Sequence, residues 1–211
     1  MKQLCQLLII FLLGSAASAT AQKIVYQNDF EKAALDQVPA DFLVLDGDFA
    51  VKQEGANKFL ELPGAPLDTF GVLFGPTTNS GVCVSARIYG TRKGRREPTF
   101  GVGLNGVAGY KLKVSPQKNA LEIYKGDLSV ASAPFQWKTA SWTKFRLEVR
   151  PVGIGDWKVE GKAWAEAQEE PKEWMVSLEE KSAPHDGRPS IWGSPFSGTP
   201  IRFDDLMVTS E

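Results

Sequence analysis

"KFRLEVRPVGIGDWKVEGKA" occupies Lys144–Ala163. Phe145, Leu147 and Val149 alternate with Lys144, Arg146, Glu148 and Arg150. Beyond the turn "VGIGD", Trp157, Val159 and Ala163 alternate with Lys158, Glu160 and Lys162. A period of two, apolar on one side and charged on the other, is the pattern of an antiparallel strand with one packed face and one wet face. The same pattern recurs upstream. Val82, Val84, Ala86 and Ile88 share a face, as do Phe100, Val102 and Leu104, and Tyr110, Leu112 and Val114, with Lys111 and Lys113 opposite. Gly- and Pro-rich turns such as "FGPTTNSG", "GLNGVAG", "VSPQKN" and "GSPFSGTP" separate the runs at short intervals. The single helix-length candidate is Phe30–Pro39, ended by its proline. Short, evenly spaced strands with such turns predict an all-β chain, a two-sheet antiparallel sandwich or jelly roll.

The chain has 211 residues. Its start, "MKQLCQLLIIFLLGSAASATAQ", combines a lysine, a short apolar core and an Ala19-Thr20-Ala21 cleavage site. Residues 1–21 therefore read as a secretory signal peptide, too short in its apolar run to span a bilayer, which needs roughly 20 residues. An uncut membrane anchor is the alternative. Residues 22–211 form one domain, expected to be secreted or periplasmic and monomeric, and large enough to bury a core without staples. Cys5 leaves with the signal, so Cys83 remains as a lone thiol in a strand-like run and reads as a small buried hydrophobe rather than a nucleophile. A formal net charge of −1 carries no basic signature for nucleic acid, and no second apolar segment offers a membrane span.

Four stretches carry a family likeness: "IVYQNDFEK" followed by "VPADFLVLDGDFAV", then "APFQWKTASWTKFRLEVR", "VEGKAWAEAQEEPKEWMVS" and "GRPSIWGSPFSGTPIRFDDLMV". In this order they resemble secreted bacterial domains of the concanavalin-A-like lectin/glucanase superfamily, above all its laminin-G-like modules. Those modules carry a K-x-W strand, an acidic turn with E-P-x-x-W, and a closing D-[DN]-φ-x-V strand. The resemblance spans nearly all of residues 22–211 and implies two curved sheets with a concave and a convex face. The superfamily holds lectins, glycoside hydrolases and adhesion modules, so the fold leaves function open.

The laminarinase-like hydrolases of that superfamily carry E-x-D-x-x-E on one strand. No glutamate here has an aspartate two residues later. "RLEVR" (Arg146–Arg150) matches the skeleton of an alginate-lyase strand. Its companion Q-x-H and Y-x-K-x-G segments are missing, and the single histidine, His185, sits in a loop. Charges alternating on a solvent face explain Arg146, Glu148 and Arg150 more simply. Zinc spacings and phosphate loops are likewise absent from the sequence. The leading expectation is a non-catalytic module that binds a polysaccharide or cell-surface glycan. A glycan-degrading hydrolase of the 3-keto-disaccharide type, working with concave-face carboxylates, and a structural or adhesion module with a protein partner are the alternatives.

Tryptophan suits a sugar's apolar face. Trp164, in phase with Glu160 and Lys162, and Trp192, in "SIWGSPF", are the expected ligand contacts. Arg92, Arg95 and Arg96, in "YGTRKGRREP", could hold an acidic glycan; a solvated loop is the plainer reading. Of cofactors, only a structural Ca²⁺ comes into question. Asp29 on the first strand and Asp204 and Asp205 on the last are its candidate ligands, if a bulge lets two neighbours share one ion. Ile201 and Phe203 set one apolar phase and Leu206 and Val208 the other, which predicts a bulge at Asp204–Asp205. Export with cleavage after Ala21 predicts a secreted chain whose first residue is Gln22. Intact-mass measurement of protein recovered from the periplasm or medium checks it, and a mass retaining residues 1–21 contradicts it.

Overall fold

The computed structural model describes residues 22–64 and 68–210; the expected signal peptide lies outside them. Fifteen strands run along the described residues. The first half of the chain supplies β1 (Lys23–Asn28), β2 (Leu43–Asp46), β3 (Ala50–Glu54), β4 (Asn57–Leu62), β5 (Phe70–Leu73), β6 (Val82–Gly90) and β7 (Thr99–Leu104). The second half supplies β8 (Tyr110–Ser115), β9 (Ala120–Lys125), β10 (Leu128–Pro134), β11 (Ser141–Gly153), β12 (Asp156–Ala165), β13 (Val176–Glu180), β14 (Ser190–Ser194) and β15 (Ile201–Ser210). They form two antiparallel sheets. One has eight strands in the order β13-β12-β11-β6-β15-β4-β3, with β1 added on β15. The other has seven, in the order β10-β9-β8-β7-β14-β5-β2. This is the predicted jelly-roll sandwich. No helix of the described residues is long and apolar enough to cross a membrane.

The alternating residues behave as their period requires. Phe145, Leu147 and Val149 pair with Ala163, Gly161 and Val159 across the β11–β12 hairpin and with Ala86, Val84 and Val82 on β6. All three are fully buried. From the facing sheet, Phe100, Val102, Leu104, Leu112, Val114, Leu121 and Ile123 meet them in one core cluster. Phe100 and Phe145 touch edge-to-face across the sandwich at 5.9 Å. Each such side chain contributes roughly 1.5–3 kcal/mol by leaving water. Gly161 makes room for this interdigitation: a Cβ there would stand 2.5 Å from the Leu112 side chain.

The charged faces differ from expectation. They are not simply wet. Glu148, Glu160, Lys162 and Asp204 on the eight-stranded sheet, and Lys111 and Glu122 on the seven-stranded sheet, are all buried. Ladders of opposite charge cover one another: Arg150 reaches Glu160 at 2.7 Å, Lys162 reaches Glu170 at 2.7 Å, and Arg202 reaches Glu54 at 2.7 Å and Glu61 at 3.2 Å. Rings add cover, with the Arg87 guanidinium 4.6 Å from the centroid of Trp142 and that of Arg202 4.5 Å from Phe59.

The expected helix at Phe30–Pro39 does not form; the segment is a series of turns. Phe30 takes a left-handed φ of 58° and plunges fully into the core. The Asn28 carboxamide oxygen accepts its backbone N–H at 2.9 Å. Farther on, Asp36 N–H donates to Val51 and Val51 N–H donates to Gln37, so backbone groups that a helix would use are bonded to β3 instead.

The predicted bulge is present. The register of β15 on β6 shifts between Asp204 and Met207, and Asp205 has φ 50°. At this point β15 changes neighbour, from β4 at Ile201–Phe203 to β1 at Leu206–Ser210. Both bulge carboxylates turn to Arg87: Asp204 Oδ2 lies 2.7 Å from Nη2 and Asp205 Oδ2 lies 2.9 Å from Nε. Asn57 donates a further hydrogen bond to Asp204 at 3.0 Å. Burial raises the Asp204 carboxyl above its ordinary range, against the pull of these donors. Removing one partner of a buried ion pair leaves an uncompensated charge, so Asp204→Ala should cost about 3–5 kcal/mol in chemical denaturation. Combining Asp204→Leu with Arg87→Met should recover most of that loss; equal stability of Asp204→Ala and the parent contradicts the clasp.

Candidate functional site

Both outer faces carry a groove. On the eight-stranded sheet a groove of about 250 Å³ runs past Ser85, Arg87, Lys144, Arg146, Trp164 and Glu170. Its two guanidinia are committed. Arg87 holds Asp204, Asp205 and Glu166, and Arg146 donates to Glu170 at 3.1 Å, to the Gln22 side chain at 2.7 Å and to Cys83 Sγ at 3.2 Å. Cys83 is the buried small side chain that was expected, but it points to this outer face beneath Arg146, and burial pushes its thiol up to about 11.

On the seven-stranded sheet a groove of about 290 Å³ is lined by Thr69, Thr99, Lys113, Gln117, Tyr124, Phe196 and neighbouring hydroxyls. Thr99 opens β7, Lys113 and Ser115 end β8, and Tyr124 lies on β9. Gln117 and Lys118 belong to a single 3₁₀ turn, Pro116–Lys118, which Asn119 closes in the left-handed region at φ 49°. Thr69 and Ser194, 125 residues apart in the chain, share a hydroxyl hydrogen bond of 2.8 Å. The Lys113 ammonium sits 3.7 Å over the Tyr124 ring. Below it lies Glu122, whose oxygens accept from Ser115 at 2.5 Å, Ser129 at 2.9 Å, Lys118 at 3.0 Å and Tyr124 at 3.0 Å. Burial alone would raise the Glu122 carboxyl; these donors outweigh it and hold the pKa at about 2. Near neutrality such a group is a fixed acceptor that orders the groove floor, not a proton shuttle.

The expected ligand residues fall in different places. Trp192 lies on this seven-stranded face, yet only 7% of it is exposed. Its ring packs where Gly71 lacks a side chain, since a Cβ there would stand 2.6 Å away. Its N–H donates to Ser190 at 2.8 Å, and the Lys111 ammonium stands 4.2 Å from the ring centroid. Trp164 does face away from the core, beside Lys144 in register, but is 8% exposed rather than open to solvent. Both rings are therefore covered, contrary to the expectation of stacking surfaces. Arg92, Arg95 and Arg96 are exposed in a small hairpin closed by mutual Lys93–Arg96 backbone hydrogen bonds, and the loop runs directly into Thr99 of the groove.

The carboxylates of the calcium expectation are engaged with other partners. Asp204 and Asp205 hold Arg87, a fixed cation. Asp29 accepts the Glu31 N–H at 3.2 Å, and Glu31 in turn accepts the Lys58 N–H at 3.0 Å. Among the described residues no three His, Cys, Asp or Glu side chains converge to hold a metal ion.

Lys113, Glu122 and Tyr124 were missed by sequence reasoning. Their signal is in "KLKVSPQKNALEIYKG", where the polar faces of two strands joined by a short turn carry Lys, Glu and Tyr in register. Lys113 pairs with Glu122 and Lys111 with Tyr124 across β8 and β9.

No protein-family model and no curated protein matches the chain. Solved structures do. The chain is similar to the carbohydrate-binding module CBM66 from Bacillus subtilis, at 12% identity over 81% of this chain and 96% of that one, with a TM-score of 0.54. It is similar to the Emp46p carbohydrate recognition domain in its metal-free form, at 10% identity over 88% and 94%, TM-score 0.56. It is also similar to the marine PL-14 alginate lyase from Aplysia kurodai, at 12% identity over 90% and 100%, TM-score 0.55. What is shared at these identities is the fold, the concanavalin-A-like two-sheet jelly roll.

Glu122 has a folded-state pKa below the ordinary carboxylate value of roughly 4.3, so the unfolded chain binds its proton more readily. Its contribution to stability is present above that ordinary value and is lost as pH falls toward about 2. Denaturant unfolding between pH 2 and 5 should therefore show a shallower loss of stability for Glu122→Gln than for the parent.

Proposed function

We propose that the protein is a secreted, non-catalytic carbohydrate-binding module, and that its ligand lies in the groove of the seven-stranded sheet. The observation that carries this reading is the groove's composition. Two rings, Tyr124 and Phe196, stand beside Thr99, Gln117 and the Thr69–Ser194 hydroxyl pair. A sugar presents apolar ring faces and hydroxyl edges, and such a lining answers both. Trp192 serves as a rigid member of the sheet beneath the ligand rather than as its stacking surface. The exposed Arg92, Arg95 and Arg96 extend the site at the rim where their loop enters β7. The neighbours named as a carbohydrate-binding module and a carbohydrate recognition domain support the same class of ligand. The likeness of the sequence to laminin-G-like modules fits export and a polysaccharide or cell-surface glycan as partner.

The hydrolase alternative needs two carboxyl groups flanking a bond. The groove lining offers none directly, and Glu122 on its floor is saturated by donors. A glycan array of the purified mature protein, with reducing-sugar release measured in parallel, separates the readings. Binding without release is expected; release would establish the hydrolase. Gln117→Ala and Tyr124→Phe are mild probes of the lining. Tyr124→Ala, which removes the ring, should weaken retention by about tenfold, the equivalent of ~1.4 kcal/mol and the upper range of one aromatic contact. Lys144→Ala, in the opposite groove, should leave retention unchanged. The reverse pattern moves the site to the other sheet.

A further inference from the structure

We propose that the ligand is an acidic glycan, whose anionic substituent seats on the Lys113 ammonium. This rests on the groove reading above and specifies the ligand's charge.

The two lysines nearest Lys113 on this face are matched. Lys111, two residues away on the same face, donates to the Gly126 carbonyl at 3.1 Å and reaches Asp127 at 3.5 Å. Lys118 is paired with Glu122 at 3.0 Å. Lys113 has no carboxylate within ion-pair distance among the described residues. Its register partner across the hairpin is Glu122, the carboxylate that should neutralise it. A carboxylate has about four acceptor sites. Ser115, Ser129, Lys118 and Tyr124 take them all. Lys113 is thereby left as a half-buried cation over the Tyr124 ring, facing the groove rather than a counter-ion.

Such a group is unfavourable in the free protein. Burial, and next the neighbouring Lys111, pull its pKa below the ordinary lysine value. An anion entering the groove offsets the repulsion from Lys111 and gains a charge-assisted hydrogen bond with the ammonium. Thr99 and Gln117 supply neutral donors and acceptors for the same sugar, and the Arg92–Arg96 loop at the rim draws acidic chains toward it. A uronic acid carboxylate and a sulfate ester share this chemistry.

The test compares retention of the mature protein on polygalacturonate, carboxyl-reduced polygalacturonate, dextran sulfate and dextran, in affinity electrophoresis at fixed ionic strength. At least one acidic polymer is expected to be retained tenfold or more better than its neutral counterpart, and the arm that responds distinguishes carboxylate from sulfate. Lys113→Gln should abolish that ratio, and Lys113→Arg should preserve it. Lys113→Gln should also melt at the same temperature or higher, because it removes an uncompensated cation. A structural role would lower the melting temperature. Equal retention of acidic and neutral polymers, or an acid preference that survives Lys113→Gln, overturns the inference while the glycan reading stands. Retention on none of the four polymers, together with an empty glycan array, defeats the glycan reading itself.

Discussion

The sandwich depends on the junction where β15 changes partners. One strand of ten residues serves β4 with its first part and β1 with its last, beside β6 throughout. Such a change needs an extra residue, and Asp205 supplies it by taking a left-handed conformation that most side chains avoid. The bulge aims two successive carboxylates at one side of the sheet. Asp204 is buried there, at a cost offset by Arg87 directly across in register. The planar guanidinium meets both acids at once, which an ammonium could not do as well. That one side chain ties β6 to the bulge at which β15 passes from β4 to β1.

The two outer faces then diverge. On the eight-stranded sheet, guanidinia and carboxylates are arranged in ladders, with rings beside Arg87 and Arg202. Arg87, Arg146, Arg150 and Arg202 are all engaged there, which favours conformational specificity over recognition. On the seven-stranded sheet Lys113 has no carboxylate within ion-pair distance among the described residues. Glu122 is drawn into a network of hydroxyls and Lys118, which rigidifies the groove floor, and the cation opposite it is left for something else. Rigidity and unmet charge thus arise from the same hydrogen bonds.

How much of this was legible in the sequence follows from how local each signal is. The β11–β12 hairpin is written in consecutive residues, and Lys144–Ala163 fold as their alternation says. The bulge was legible too, because Phe203 and Leu206 are out of phase within one strand. The turns at Phe30–Pro39 were not, since their backbone partners lie on Val51, distant in sequence. The cover over Trp192 depends on Gly71 and Lys111, from two other strands, so its indole looked available when it is not. Lys113 read as an ordinary solvent-facing lysine. What distinguishes it is the saturation of Glu122, and that involves Ser115, Lys118, Tyr124 and Ser129, brought together by two hairpins and a 3₁₀ turn.

The pairing of β1 with β15 also sets the molecule's poles. Lys23 lies opposite Ser210, and Ser210 lies opposite Val82 at the start of β6. The loop into Thr99 leaves from the other end of that nine-residue strand, about 26 Å away at roughly 3.3 Å per residue. Any stalk, anchor or companion domain joined at either end would therefore grip the sandwich at one pole and hold the groove out at the other, turned toward the surroundings.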